Sequence, residues 1–158
     1  MDVYSQFYND YKDRLYAYLL RMTGDPQLAI DLVQESFTRY LGRYGKHDNN
    51  KFLLYTIARN AVMDVFRKKK MAGIDADNCE SPGKNPEQEI IDQEGFNRIL
   101  ASIAQMAIAD RELVSLVVNG DLTYQEIGRI LKISESNVKV RVHRARKRLQ
   151  AILASGGE

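Results

Sequence analysis

The fold of the carboxy-terminal half is decided by residues 123–149, which read TYQEIGRILKISESNVKVRVHRARKRL. Thr123 and Glu126 have the spacing of a capping box, in which each side chain accepts a hydrogen bond from the other residue's backbone amide, so a helix begins here. Ser134 can cap a second helix after a short turn, and the small Gly128 permits the two helices to approach closely. The stretch therefore predicts a helix-turn-helix unit.

The second helix of this unit has one apolar side and one basic side. Val138, Val142, Ala145 and Leu149 recur at helical spacing and form its buried side. The opposite side combines cations with short polar and small apolar groups, which suit contacts to phosphates and base edges in the major groove. A solvated basic surface helix is the alternative, but the capping box, tight turn and one-sided charge together favour DNA binding. The candidate residues for duplex DNA are Ser136, Asn137, Lys139, Val140, Arg141, His143, Arg144 and Lys147.

The composition is that of a soluble globular chain of one or two small domains, with 158 residues, 44% hydrophobic and 28% charged. No apolar run approaches the roughly 18 residues of a membrane span, and the amino terminus lacks a signal-peptide pattern. We therefore expect a cytoplasmic protein. The single Cys79 cannot form an internal disulfide, and together with only His47 and His143 it offers no zinc-ligand spacing. No metal and no cofactor are expected.

The formal net charge of +2 conceals an uneven distribution of charge. Almost every charged residue from Asp75 to Glu94 is acidic, whereas almost every one from Arg129 to Arg148 is basic, and residues 67–70 are Arg-Lys-Lys-Lys. Two basic segments separated by an acidic one indicate two surfaces for a polyanion. We also predict that the acidic segment discourages nonspecific DNA binding, so neutralising Asp75, Asp77 and Glu80 would strengthen it at low salt.

Hydrophobic periodicity predicts an all-α fold with two small helical domains. Residues 1–71 would form a three-helix bundle, with helices over about 3–22, 26–41 and 51–70 and a polar loop over 42–50. Residues 87–158 would form a four-helix domain that contains the helix-turn-helix unit. The acidic residues 72–86, rich in glycine and proline, are predicted to be a flexible linker.

The second predicted helix carries a candidate surface for docking a protein. Its core stripe would be Ala29, Ile30, Val33, Phe37, Tyr40 and Leu41. The other face presents Leu28 and Leu32 beside Asp31, Gln34 and Glu35, an apolar pair ringed by acids that suits a basic protein surface. Scattered surface leucines are an equal alternative, and Asp31 with Glu35 could instead be metal ligands or an acid/base pair, although no convincing third ligand accompanies them.

The third predicted helix and the loop before it offer a candidate surface for single-stranded DNA. One arc carries cations, an amide and an aromatic side chain, the groups that track a phosphate backbone and hold unstacked bases. The alternative is that the aromatic residues serve the core and that the basic run stabilises a helix end. The candidate residues are Tyr44, Lys46, His47, Phe52, Thr56, Arg59, Asn60, Met63 and Arg67.

Four stretches of the sequence, in this order along the chain, resemble one family of proteins. They are residues 19–25 (LLRMTGD), 31–37 (DLVQESF), 54–60 (LYTIARN) and 122–149. Over nearly its whole length the chain resembles the extracytoplasmic-function (ECF) group of bacterial sigma factors, the minimal members of the sigma-70 family. The resemblance implies that residues 1–71 are region 2 and residues 87–158 are region 4, with no region 3 domain between them.

The resemblance also implies partners and roles. It assigns Asp31, Leu32, Gln34 and Glu35 to the surface that binds the clamp helices of the RNA polymerase beta-prime subunit, and it adds the beta flap and an anti-sigma factor as partners. It places the candidate residues of the third predicted helix and of the loop before it at the promoter's −10 element, and the final helix at the −35 element. The chain would perform no bond chemistry itself. The rival functions are a helix-turn-helix regulator that acts without polymerase and a metal-dependent nuclease.

Two departures from the family pattern bear on the structure. Leu53 stands where the family often has tryptophan, so the aromatic platform near the melted strand would either be weaker or be supplied by Phe52 and Tyr55. Lys132 replaces a common turn glycine, which costs little unless the residue needs a positive φ.

Overall fold

The structure, a computed structural model, describes residues 2–46, 49–73 and 93–156. These residues form an all-helical fold, as the sequence predicts. The helices are α1 (Val3–Thr23), α2 (Pro26–Tyr44), α3 (Lys51–Met71), α4 (Gln93–Ala104), α5 (Ile108–Asn119), α6 (Tyr124–Leu131) and α7 (Glu135–Gly156). His47, Cys79 and the acidic segment from Asp75 to Asp92 lie outside the described residues, so the predictions about them stay predictions.

Side-chain caps set the beginnings of the amino-terminal helices. Asp25 Oδ1 accepts hydrogen bonds from the amides of Gln27 (3.1 Å) and Leu28 (3.2 Å), and Pro26 follows it as the first helical residue. Asn50 caps α3 in the same way. The sequence predicted that α2 ends near Leu41, but it continues to Tyr44 because Gly42 is tolerated within the helix and the chain turns only at Gly45, where φ is +76°.

Helices α1 to α3 pack around one core in which aromatic rings predominate. Phe7 of α1 lies 6.1 Å from Phe37 and 5.0 Å from Tyr40, both of α2, measured between ring centroids. Tyr18 of α1 meets Tyr55 of α3 edge to face at 5.9 Å. Such aromatic pairs add to the burial of apolar area. The three helices thus form the bundle that the periodicity predicts.

Helix α4 buries only part of its apolar surface, since Phe96 and Ile99 are 52% and 47% exposed. Leu100 and Ile103 are buried instead, since α4 turns this side toward α1 and α7. Helix α4 ends at Ala104, and the side chain of Met106, in the turn that follows, is buried.

Arg111 holds the junction between α4 and α5. It is fully buried, and its Nη2 donates to the carbonyl oxygens of Ala104 (2.9 Å) and Met106 (3.1 Å) while Nη1 donates to that of Met22 (3.1 Å). The ends of α1 and α4 leave carbonyl groups without helical partners. One guanidinium therefore satisfies backbone groups from both halves of the chain.

The helix-turn-helix unit forms as its sequence predicts. The capping box is complete, with the Glu126 amide 3.1 Å from Thr123 Oγ1 and the Thr123 amide 2.9 Å from Glu126 Oε1. Ser134 Oγ accepts from the Asn137 amide at 3.1 Å and caps α7. A Cβ added at Gly128 would lie 2.7 Å from the carbonyl oxygen of Ile133, so only glycine permits this close approach of the turn.

Lys132 ends α6 in the left-handed conformation, with φ 61° and ψ 43°. A side chain with a Cβ pays about 1–2 kcal/mol for this conformation, whereas glycine does not. We therefore expect Lys132→Gly to raise the free energy of unfolding by about 0.5–1 kcal/mol, because the greater entropy of the unfolded glycine chain offsets part of the strain that is relieved. Urea denaturation would measure this change. Lys132→Ala is the matched control, and an equal gain from alanine would show that backbone strain is not the cause.

Candidate nucleic-acid and polymerase interfaces

The exposed side of α7 carries the predicted duplex-DNA residues together. Val138, Val142 and Ala145 are buried, and all eight candidates on the other side are exposed, with Val140 47% exposed. Arg148 extends this basic surface, but its Nη1 lies 3.0 and 2.8 Å from the two carboxylate oxygens of Asp110. That ion pair joins α7 to α5 and leaves the eight candidate side chains exposed on the other side of the helix.

The docking surface of α2 differs from the prediction. Asp31, Gln34 and Glu35 are exposed and Leu28 is half-buried, but Leu32 is only 2% exposed. Leu32 is therefore a core residue, and the prediction that its side chain is exposed was wrong. The reason is that α2 packs against α1 and α3 along one stripe that is turned toward Leu32 and away from Ile30. Ile30, which was predicted to be core, is therefore 46% exposed.

The remaining docking face, which consists of Asp31, Gln34 and Glu35, is acidic and locally ordered. Gln27 Nε2 donates to Asp31 Oδ1 at 3.1 Å, and Arg39 Nη2 lies 2.5 Å from Glu35 Oε1. Gln34 Nε2 donates to the hydroxyl of Tyr8 at 3.3 Å. In the part of the chain that the structure describes, no group of three His, Cys, Asp or Glu side chains could hold a metal ion.

The α3 surface predicted for single-stranded DNA is partly covered by the carboxy-terminal domain. Arg59 Nε lies 2.5 Å from Glu112 Oε1 of α5, and the guanidinium of Arg129 lies over the ring of Phe52, 4.5 Å from its centroid. Asn60, Arg67 and Lys46 are exposed. The other described candidates, Tyr44, Thr56 and Met63, are half-buried, and the hydroxyl of Thr56 donates within the helix to the Phe52 carbonyl oxygen.

Tyr55 cannot serve as an open aromatic platform in this arrangement, because it is fully buried between the domains. Its hydroxyl donates to Asp121 Oδ2 at 2.8 Å and accepts from Asn119 Nδ2 at 2.8 Å. Burial raises the pKa of the Tyr55 hydroxyl, and the Asp121 carboxylate raises it further, so the phenol remains a protonated donor.

These contacts belong to an interdomain polar cluster that the sequence analysis missed. Its members from α5 and the turn after it are Glu112, Asn119 and Asp121. Burial raises the pKa of the Glu112 carboxyl, while its hydrogen bond and ion pair with Arg59 act in the opposite direction. Glu112, Ser115 and Asn119 recur at helical spacing, so a polar stripe on an otherwise apolar helix was the available signal.

Arg21 completes the cluster from α1. One guanidinium nitrogen donates to the Ser115 carbonyl oxygen at 2.8 Å and to the Asn119 side chain. Burial lowers the pKa of Arg21, although the group remains a cation at neutral pH because its reference pKa is so high. The two domains are therefore joined through specific polar contacts as well as apolar packing.

Comparisons with known proteins agree with this architecture. The family model for Sigma-70 region 2 matches residues 7–71, and that for Sigma-70, region 4 matches residues 96–149. The chain is 35% identical over 159 residues to the ECF RNA polymerase sigma factor SigM of Bacillus subtilis (strain 168), covering 98% of this chain and 95% of that protein. It is 32% identical over 164 residues to SigW of the same organism, covering 94% and 88%.

Two solved structures share the fold. The sigma factor RpoE of Bartonella quintana, in complex with the anti-sigma factor NepR, superposes with a TM-score of 0.76 at 22% identity and covers 95% of this chain and 96% of that one. CnrH in complex with the cytosolic domain of CnrY gives 0.71 at 19% identity, with 96% and 88% covered. The chain belongs to the ECF sigma factors of the sigma-70 family. None of its described helices has the length and apolar character needed to cross a membrane.

Proposed function

We propose that this protein binds core RNA polymerase and directs initiation at promoters that carry its own −10 and −35 elements. The observation that carries the proposal is the presence on one chain of an acidic docking face on α2, a cationic and aromatic surface on α3 and a basic recognition face on α7. Region 2 would comprise residues 1–71 and region 4 residues 87–158, joined through residues 72–86. The chain would perform no bond chemistry.

The two DNA surfaces would do different work. The α7 face would anchor the −35 element as duplex, with Lys139, Val140, His143 and Arg144 closest to base edges. The α3 surface would hold bases extruded from one strand of the −10 element, and stacking with contacts to phosphates would offset a few kcal/mol of unstacking per base. Promoter choice would therefore combine duplex reading with strand separation.

The partners follow from the same surfaces. The docking face would bind the clamp helices of the beta-prime subunit, since carboxylates orient a basic partner surface, and region 4 would contact the beta flap. The structural relatives RpoE and CnrH are seen with NepR and CnrY, which supports an anti-sigma factor for this chain. The site of action would be the cytoplasm, where polymerase and chromosome are located.

Run-off transcription with purified core polymerase on a random promoter library would test the function. We expect co-elution of the chain with core polymerase and transcripts that start downstream of a shared pair of sequence elements. A chain that does not bind core polymerase but still binds specific duplex DNA would be a regulator that acts without polymerase. DNA cleavage with Mg²⁺ that Glu35→Gln abolishes would instead indicate a nuclease.

Alanine substitutions on α7 would test how the −35 element is read. Lys139→Ala and Arg144→Ala should each cost about 1–3 kcal/mol of promoter binding and relax the preference at particular base pairs, provided that these side chains reach base edges. Competition binding with single-base variants of the promoter measures both effects. Arg98→Ala removes the same charge from an exposed position of α4 and is the control. A loss of binding free energy that is the same for all promoter sequences would show that the two residues contact phosphates and not base edges.

A further inference from the structure

One apolar side chain of α2 is exposed beside the docking face. Ile30 is 46% exposed, whereas Leu28 is half-buried and Leu32 is buried. Ile30 lies one helical turn before Gln34, so the two side chains share one side of α2. A single exposed isoleucine indicates nothing about binding by itself. Its significance depends on the groups that lie next to it.

The first of these groups belongs to α1. Tyr8 is half-buried, and its ring lies 4.8 Å from the ring of Phe37 between centroids. The Tyr8 hydroxyl accepts a hydrogen bond from Gln34 Nε2 at 3.3 Å. Because Gln34 belongs to the docking face, a partner that reaches its amide also comes within contact distance of the Tyr8 phenol. The docking face therefore continues across the boundary between α2 and α1.

Charged groups of opposite sign lie on the two sides of this boundary. Helical spacing places Asp31 and Glu35 on the side of Gln34 that is turned away from α1, and both are exposed. On α1, the ammonium of Lys12 lies 5.7 Å from the centroid of the Tyr8 ring. An apolar and aromatic strip thus separates two carboxylates from a cation. Such an arrangement fixes the orientation of a partner whose basic groups face α2.

We propose that Ile30 and Tyr8 form the apolar anchor of the docking face, against which the clamp helices of the beta-prime subunit pack. The proposal rests on the proposed function, in which the docking face binds that subunit. Protein interfaces gain most of their binding energy from a few side chains near the centre, among which tyrosine is prominent, while charged groups at the rim orient the partner. The anchor fills the role that the sequence suggested for Leu28 and Leu32.

The first test measures the affinity of the full chain for immobilised core polymerase by surface plasmon resonance. We expect Ile30→Ala to raise Kd about fivefold, because it removes apolar area that the partner would cover. We expect Tyr8→Phe to raise Kd about threefold, because Gln34 loses its acceptor and the partner loses the phenol, while the ring remains against Phe37. A melting curve of each variant confirms that the chain is folded.

The same chemical changes on another side of α1 are the controls. Val3 is 45% exposed and Tyr11 is half-buried, and both line a groove beside Asn49, next to the amino-terminal end of α3. Val3→Ala and Tyr11→Phe should leave Kd unchanged. Wild-type affinity of either Ile30→Ala or Tyr8→Phe would overturn the proposal, and so would equal losses of affinity in the controls.

Photocrosslinking distinguishes direct contact from an effect on folding. With p-benzoylphenylalanine in place of Tyr8, irradiation of the complex with core polymerase should yield a crosslink that mass spectrometry maps to the clamp helices of beta-prime. The same substitution of Tyr11 should yield none. A crosslink from position 34 without one from position 8, or a crosslink from position 8 to another subunit, would overturn the anchor and leave the docking face in place.

Failure of the proposed function would give a different result. The docking face itself would be rejected if neither position 34 nor position 8 crosslinks to beta-prime and if Asp31→Arg with Glu35→Arg binds core polymerase as the wild type does. The anchor alone would be rejected if that charge-reversed variant loses affinity while Ile30→Ala and Tyr8→Phe retain it.

Discussion

Replacing Arg111 with methionine is expected to lower the free energy of unfolding by about 3 kcal/mol or more. Methionine occupies a similar length but donates no hydrogen bond. The carbonyl oxygens of Met22, Ala104 and Met106 would each lose a charged donor inside the protein. The loss would affect both domains, because Met22 lies in the last turn of α1, whereas Ala104 is the last residue of α4 and Met106 lies in the turn after it.

Thermal and urea denaturation of the full chain would measure this effect. Arg98→Met is the matched control, since Arg98 is exposed and donates to the carbonyl oxygen of Leu153. We expect the control to cost less than about 1 kcal/mol, as exposed substitutions usually do. A cost for Arg111→Met no larger than that of the control would contradict the role assigned to this guanidinium.

Reversing two charges of the docking face should weaken binding to core polymerase by about 100-fold, or about 2.7 kcal/mol. The variant is Asp31→Arg with Glu35→Arg. Both positions are exposed, so two attractive contacts to a basic surface become repulsive while the fold is left intact. Surface plasmon resonance against immobilised core polymerase would measure the affinity, and a melting curve would confirm that the chain remains folded.

The control for this variant is Asp10→Arg with Asp13→Arg, which makes the same change of charge on α1. Equal weakening by both variants would indicate a general charge effect and would reject α2 as the docking element. Leu32→Ala is unsuited to this purpose, because it removes a buried side chain and should cost about 2–5 kcal/mol of stability. Loss of polymerase binding by that variant would reflect unfolding.

Local chemistry made the helix-turn-helix unit and the α7 face predictable. A capping box, a serine cap and one-sided apolar spacing each act within a few residues, so their geometry is contained in the sequence around them. The helices of region 2 were predictable for the same reason. The end of α2 was placed too early because glycine signals a turn only where the backbone requires it, which occurs at Gly45 and not at Gly42.

The candidate site on α2 was predicted only in part. The apolar spacing predicted one buried face on α2, but the direction of that face depends on how α1 and α3 pack against the helix, and this packing turns it toward Leu32. Leu32 is buried and Ile30 exposed as a consequence. The acidic members of the face were identified correctly as surface groups, since charged side chains rarely become fully buried without a partner.

The sequence by itself determined the all-helical fold, the caps, the recognition face of α7 and membership of the family, because these depend on local spacing and on motifs in order. Only the tertiary structure decided which groups cover α3. Arg59 and Glu112 lie 53 positions apart, and Tyr55 and Asp121 lie 66 apart. No local pattern encodes contacts over such separations, since they depend on how the two packed domains meet. The same packing buries Arg111 as a structural cation and covers part of the α3 surface that was predicted to be open to DNA.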